Sequence, residues 1–281
     1  MKQEPRISVI LPVYNGQDYI HEAISSILNQ TFLNFELIII NDGSTDQTDS
    51  IIKSFTDLRL RYLSRENKGL AYTLRELVFL AKSNLIARMD ADDISEKNRL
   101  ELQYNRFKND QELVLVGGNV RYIDDENNLL GVSTSPTINK AIRNKLRSGN
   151  IIYHPTVMFK KDIYLKTVGY SQVIDKYIED YLLWVEIIQY GKVEVIKDIV
   201  LSYRVHANAI SSTAPSGLSV LISKINTNGG AYPGLKEDYA RVLRNKTEIQ
   251  ERFSGRKLNN LVRNIIIFLK NIYFSFNKGS L

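Results

Sequence analysis

Two periods of apolar residues alternate along the first part of the chain. "ISVILPV" (7–13) and "FELIIIND" (35–42) read as strands, and their runs "ISVIL" and "LIII" are apolar without alternation, the pattern of strands buried on both faces of a parallel sheet. Between them, "QDYIHEAISSILNQ" (17–30) sets Ile20, Ala23, Ile24, Ile27 and Leu28 at helical spacing. The rhythm continues with a helix over 45–55 that opens on capping-type residues, a short strand over 58–64, a helix over 69–82 and a strand over 84–90. Strands alternating with helices predict an α/β fold, a parallel sheet with helices on both faces. Further on, the pattern predicts a helix over 94–110, a strand over 112–124, a turn at "DENN" and a polar helix over 138–149. It then predicts a strand over 156–161, a helix over 179–191 stopped by Gly191, and one or two strands over 193–206. The alternation ends near residue 215, which divides the chain into a domain over 1–215 and a helical extension over 216–281.

A length of 281 residues suits one medium domain with an appendage, or two small ones. The sequence has no Cys, which excludes disulfides, Cys-based zinc sites and thiol nucleophiles together. No apolar window reaches the ~18–20 residues of a membrane span. The apolar stretch near the N-terminus is too short for a secretory signal, so a cytoplasmic location is expected. A net charge of +6 is modest, and no basic patch is interleaved with aromatics, so nucleic acid is not an expected partner. The signatures G-x-G-x-x-G, G-x-x-x-x-G-K-[ST] and H-E-x-x-H are all missing, which disfavours dinucleotide, P-loop and zinc-protease chemistry.

Ligands on open parallel sheets collect beyond the carboxyl ends of the strands. Three polar clusters fall there: "PVYNG", "NDGSTD" and "MDADD". In the last, Asp90, Asp92 and Asp93 crowd into four positions and need something positive between them. Carboxylates without Cys suit a hard divalent cation, Mn2+ or Mg2+, and a diphosphate could supply its remaining ligands. The plainer alternatives are that Asp92 or Asp93 caps the next helix and that "NDGS", around Asp42, is turn chemistry.

Taken in order, "ISVILPVYNG", "FELIIINDGSTDQT", "ENKGLA", "ARMDADDIS…RL", "HPTVMF", "EDYLLW" and "YRVHANAIS" resemble family 2 glycosyltransferases from residue 6 to about 212. The resemblance implies a GT-A fold, Rossmann-like, with a mostly parallel central sheet and flanking helices. It implies metal-dependent inverting transfer of a hexosyl or N-acetylhexosaminyl group from a nucleotide-sugar, UDP-linked, to a growing surface polysaccharide or lipid-linked oligosaccharide. By the same resemblance Pro12, Tyr14, Asn15 and Lys68 belong to the donor pocket, Asp42 accepts a hydrogen bond from uracil, and Asp90 lies near the ribose. Asp92 and His206 are the implied metal ligands, and Asp93 supports the loop or contacts the acceptor. Asp180 matches the catalytic base, with Glu179 its neighbour. Chemistry agrees, because inverting transfer needs one carboxylate to take the acceptor hydroxyl's proton. Against these stand the readings that Glu179 and Asp180 complement a helix dipole and that His206 faces solvent or phosphate. His154 faces the acceptor or only starts a strand, and Arg75 stands where many relatives have Asn.

The tail, 256–281, carries Arg256, Lys257, Arg263, Lys270 and Lys278 and no acidic residue. A helix there would have an apolar face with cationic edges, as interfacial membrane helices do. That would hold the protein peripherally on the inner face of the cell membrane. The same face could instead pack on the catalytic domain or on a second copy, giving a homodimer. Two rival functions are a sugar-1-phosphate nucleotidyltransferase and a non-catalytic nucleotide-sugar-binding module. The first needs a Gly-rich basic loop where this chain has "PVYNG", and the second leaves Asp92 and Asp180 unexplained.

Overall fold

A computed structural model describes residues 4–147, 149–171, 174, 177–206, 209, 218–228, 231 and 235–239; the basic tail lies outside the described residues. The apolar runs form β1 (Ile7–Val13) and β2 (Phe35–Asp42), buried along their whole length. With β3 (Leu60–Arg65) and β4 (Leu85–Arg88) they make the parallel half of the sheet. The helices between them are α1 (Ile20–Leu28), α2 (Thr48–Lys53) and α3 (Leu70–Leu80).

The second half is more mixed. After β4 come a two-residue strand β5 (Ile94–Ser95), α4 (Arg99–Asn109), β6 (Leu113–Ile123), β7 (Leu129–Val132) and α5 (Asn139–Leu146). A 3-10 helix at His154–Thr156 precedes β8 (Met158–Lys160) and α6 (Lys161–Tyr164). Then follow α7 (Glu179–Ile187), β9 (Lys192–Arg204) and α8 (Leu218–Asn228). The expected helix from residue 94 therefore begins only at Arg99, because Ile94 and Ser95 pair with Ser202 and Leu201 of β9. His154 starts a helical turn and not a strand.

The sheet runs β3-β2-β1-β4-β8-β6-β9-β5, with β7 on β6. The long pairings, including β6 with β9, are parallel; the short ones made by β5, β7 and β8 are antiparallel. Because β8 is antiparallel to both β4 and β6, the carboxyl ends of β6 and β9 reach the same edge as those of β1, β2 and β4.

Alternation along the strands feeds two cores. Val9, Leu11, Leu37 and Ala87 pack with α1, α2 and α4, whereas Ile10, Ile38, Ile40 and Ile86 pack with α3, α5 and α7. Leu221 and Ile225 of α8 join the second core. Gly118 of β6 permits β9 to lie close: a Cβ there would meet Val200 Cγ2 at 2.4 Å. Among the described residues no helix is long and apolar enough to cross a membrane.

Candidate active site

Residues from the three loop clusters, together with the end of β9, enclose a cleft of about 430 Å³ lined by Pro12, Tyr14, Asn15, Asp42, Asp90, Asp92 and His206. Two of its loops are stapled together. Asn15 adopts φ +51°, which Asn tolerates, and its Oδ1 accepts from the Thr45 N–H at 2.8 Å. The N–H groups of Asn15 and Gly16 donate back to Ser44 Oγ and Thr48 Oγ1 at 2.8 and 2.9 Å. Tyr14 is left 53 % exposed at the mouth, a flat aromatic surface. In "NDGS", Gly43 holds φ +77°, and a Cβ there would meet the Asn67 backbone nitrogen at 2.6 Å.

Asp42 is buried and well supplied with donors. Arg65 pairs with Oδ1, the Lys68 N–H donates to Oδ1 at 2.8 Å, and the Gly69 N–H donates to Oδ2 at 3.0 Å. Lys68 thus acts on Asp42 through its backbone. Its side chain does not line the cleft, and Nζ lies 4.8 Å from the centre of the Tyr72 ring. Arg75 lies against the same ring at 5.1 Å.

Asp90, Asp92 and Asp93 each offer a carboxylate oxygen, and these lie within 4.8 Å of one another. Their positive partners are arginines absent from the sequence argument. Arg88, the last residue of β4, is 2 % exposed and pairs with Asp90 Oδ2. Burial nevertheless outweighs Arg88 and raises the Asp90 pKa, with Asp92 adding to the rise. Arg204, ending β9, donates its backbone N–H to Asp93 Oδ1 at 2.8 Å and Nε to the Asp92 carbonyl at 2.9 Å. Its other nitrogens reach the Asp124 carbonyl and Glu22 Oε2 at 2.9 and 2.8 Å. Arg99 of α4 donates to the Arg88 carbonyl at 2.7 Å; burial, helped by Arg88, lowers its own pKa to about 9.

His206 Nε2 lies 2.9 Å from Asp92 Oδ2, and its ring rests 5.2 Å from that of Tyr19. Asp93 is buried, and its Oδ2 has no hydrogen-bond partner among the described residues. An orphaned carboxylate oxygen beside two further carboxylates and an imidazole is a donor set that fits Mn2+ or Mg2+.

Asp180 does not line this cleft. It stands in the first turn of α7, where Asn150 Nδ2 donates to Oδ2 at 2.6 Å and the Tyr181 N–H donates to Oδ1 at 2.7 Å. Burial pushes its pKa up to about 6 against those two donors and the Arg88 charge. Glu179 is buried too, and burial with the adjacent Asp180 raises its pKa well above the usual range. Its Oε1 is 3.5 Å from His154 Nδ1, and His154 Nε2 is 2.9 Å from the Tyr170 hydroxyl. Burial, with Arg88 nearby, keeps His154 neutral, enclosed in the core beside Trp184.

The structure thus holds a cleft with clustered carboxylates and, apart from it, the buried carboxylate of Asp180. The chain matches the family described as "Glycosyl transferase family 2" over residues 8–167. It is 36% identical over 214 residues to the O-antigen biosynthesis glycosyltransferase WbnJ of Escherichia coli, covering 74% of this chain and 83% of that one. It belongs to glycosyl transferase family 2, and it is a glycosyltransferase. Among solved structures, S. aureus TarS in complex with UDP superimposes with a TM-score of 0.62 at 19% identity, over 90% of this chain and 76% of that one. A mannosyltransferase of Pyrobaculum calidifontis in complex with GDP-Man and Mn2+ does so with a TM-score of 0.60 at 16% identity, over 98% and 82%. The fold is that of these GT-A enzymes.

Proposed function

We propose that the enzyme is a metal-dependent, inverting transferase that moves a hexosyl or N-acetylhexosaminyl group from a UDP-sugar to a hydroxyl of a growing surface polysaccharide or lipid-linked oligosaccharide. The observation that carries this reading is Asp180: a buried carboxylate at a helix start, raised to about 6 and set apart from the carboxylates of the donor cleft. A base works best when its pKa lies near the working pH. Asp180 takes the proton of the acceptor hydroxyl as that oxygen attacks the anomeric carbon. The bond from that carbon to the diphosphate oxygen breaks, its electron pair leaves with the diphosphate, and a single displacement inverts the centre.

Asp92 and His206 would hold the cation, close to the unpartnered Asp93 carboxylate, and Asp90, braced by Arg88, would contact the ribose. When bound, such an ion offsets the charge that collects on the departing diphosphate. The UDP and UDP-GlcNAc complexes of TarS support a UDP donor, and the Mn2+ of the mannosyltransferase supports the metal. The O-antigen role of WbnJ supports a polysaccharide or lipid-linked acceptor. For the C-terminal part, 216–281, the reading is a helical extension whose basic tail meets the anionic inner face of the membrane.

The test is nucleotide release from a panel of nucleotide sugars, with and without acceptor. Asp180→Asn should keep donor affinity and lose ~10²–10⁴ in turnover, the usual worth of a general base. Chelator should abolish transfer and Mn2+ should restore it. Near-normal turnover in Asp180→Asn, or full activity in chelator, overturns the corresponding part of the reading.

A further inference from the structure

We propose that Asn150 is a positioning residue for Asp180: its amide, fixed by the backbone beside it, holds the carboxylate in the one orientation that offers Oδ2 to an acceptor hydroxyl. This rests on Asp180 being the base.

Asn150 lies between α5 and the 3-10 helix at His154–Thr156. Its Oδ1 accepts from the Ile152 N–H at 3.2 Å, so the oxygen end of the amide is committed. The nitrogen end is thereby turned to Asp180 and donates to Oδ2 at 2.6 Å. Asp180 Oδ1 is tied to the Tyr181 N–H at 2.7 Å. Each carboxylate oxygen therefore carries a donor, and rotating the group breaks both bonds. An oxygen that accepts one N–H retains capacity for a second proton. Oδ2 remains able to receive the acceptor's.

The residue type matters as much as the place. A cation here would depress the carboxylate by one to three units, as a rough rule, and spoil it as a base; a carboxylate would repel it. A neutral N–H orients it without quenching it. Among the described residues, the other charged or titratable groups acting on or beside Asp180 are Arg88 from β4, Glu179 on its own helix and Tyr170 from the segment before α7. The Asn150 hydrogen bond and the Arg88 charge both favour the ionised form, so Asn150 sets the direction of the carboxylate and also helps keep it ionised.

The experiment is the pH dependence of kcat/KM, with separate kcat and donor KM, for the wild type, Asn150→Ala, Asn150→Asp and Asp180→Asn. The hydrogen bond favours the ionised base, so removing it raises the pKa at which activity appears. Asn150→Ala should move the acid limb up by about half to one unit, and Asn150→Asp further. Donor KM should stay unchanged. Well above both limbs, Asn150→Ala should recover to within a few-fold of wild-type turnover. Asn150→Asp preserves size and carries the test if the alanine variant does not fold. An acid limb that stays in place while the rate falls equally at every pH overturns the proposal, and so does an unaltered profile. If Asp180→Asn is inactive while the Asn150 variants leave the limb unmoved, the inference fails alone. If Asp180→Asn turns over normally, the base assignment falls and takes the inference with it.

Discussion

Glu179 is 4 % exposed, adjoins Asp180 and holds its proton well above the usual carboxyl range. In the unfolded chain a Glu titrates near ~4.3, so between that pH and the higher native pKa the folded state keeps a proton on Glu179 that the unfolded state gives up. Stability then falls as pH rises through the native pKa. Glu179→Gln has nearly the same shape and no proton to lose. Its melting temperature should lie nearest the wild type's below ~4.3, the unfolded value, and exceed it by a margin that grows as pH rises from there and levels once native Glu179 ionises. A difference that does not change with pH would show that folding does not raise the Glu179 pKa. His154, neutral when folded, acts in the opposite sense below its unfolded value and enters both curves. At this scale the acidic residues were legible and their partners were not. Asp42, Asp90 and Asp92 stand out because carboxylates cluster where strands end, whereas Asp180 stands out only through the family resemblance of "EDYLLW". Arg88 reads as any charged strand end. Its burial follows from the period of two that puts it on the face of Ile86, against α7, and that face is known only once the sheet is assembled.

At the scale of elements, β9 and the loop after β4 are joined by one guanidinium. Arg204 donates to three carbonyls, of Asp92, Asp124 and Asp125, and to Glu22, and it is buried. Arg204→Lys retains the charge but not the planar fork, and buried carbonyls would be left unpaired at a cost of about 1–3 kcal/mol each. The variant should melt clearly lower than wild type and bind Mn2+ and UDP more weakly, since β9 then delivers His206 less firmly. Calorimetry with a Mn2+ titration checks both; unchanged metal affinity would separate Arg204 from the metal loop. The strands at 7–13 and 35–42 were readable to the residue because uninterrupted apolar runs admit no other placement. The short strand at Ile94–Ser95 was not, since two residues carry no periodicity and owe their form to Leu201 and Ser202.

For the whole molecule, the direction of the sheet's second half was hidden because it depends on pairings between distant segments, β8 with β4 and β9 with β6. The net charge of +6 includes five cations in the tail, 256–281. If the tail meets the membrane, the full chain should co-sediment with anionic vesicles, and deletion of 256–281 should release it while transfer to a soluble acceptor continues. Each Lys or Arg contributes about 1 kcal/mol at an anionic surface, so salt should weaken binding while the apolar part persists. Full-length protein in the supernatant at low salt would rule the surface out, and a change in oligomer size on deletion would point to a second copy. The pairing of Asp92 with His206 also has a meaning in time. They are 114 positions apart, and a ribosome adding ~5–20 residues per second needs about 6–23 s to span them. Through that interval the nascent chain has the loops that follow β1, β2 and β4 but not the histidine that meets Asp92, and β4 shows an open edge until β8 arrives. A polypeptide terminated before β9 would thus have a cleft without its His206 end, a species for chaperones and proteases to clear.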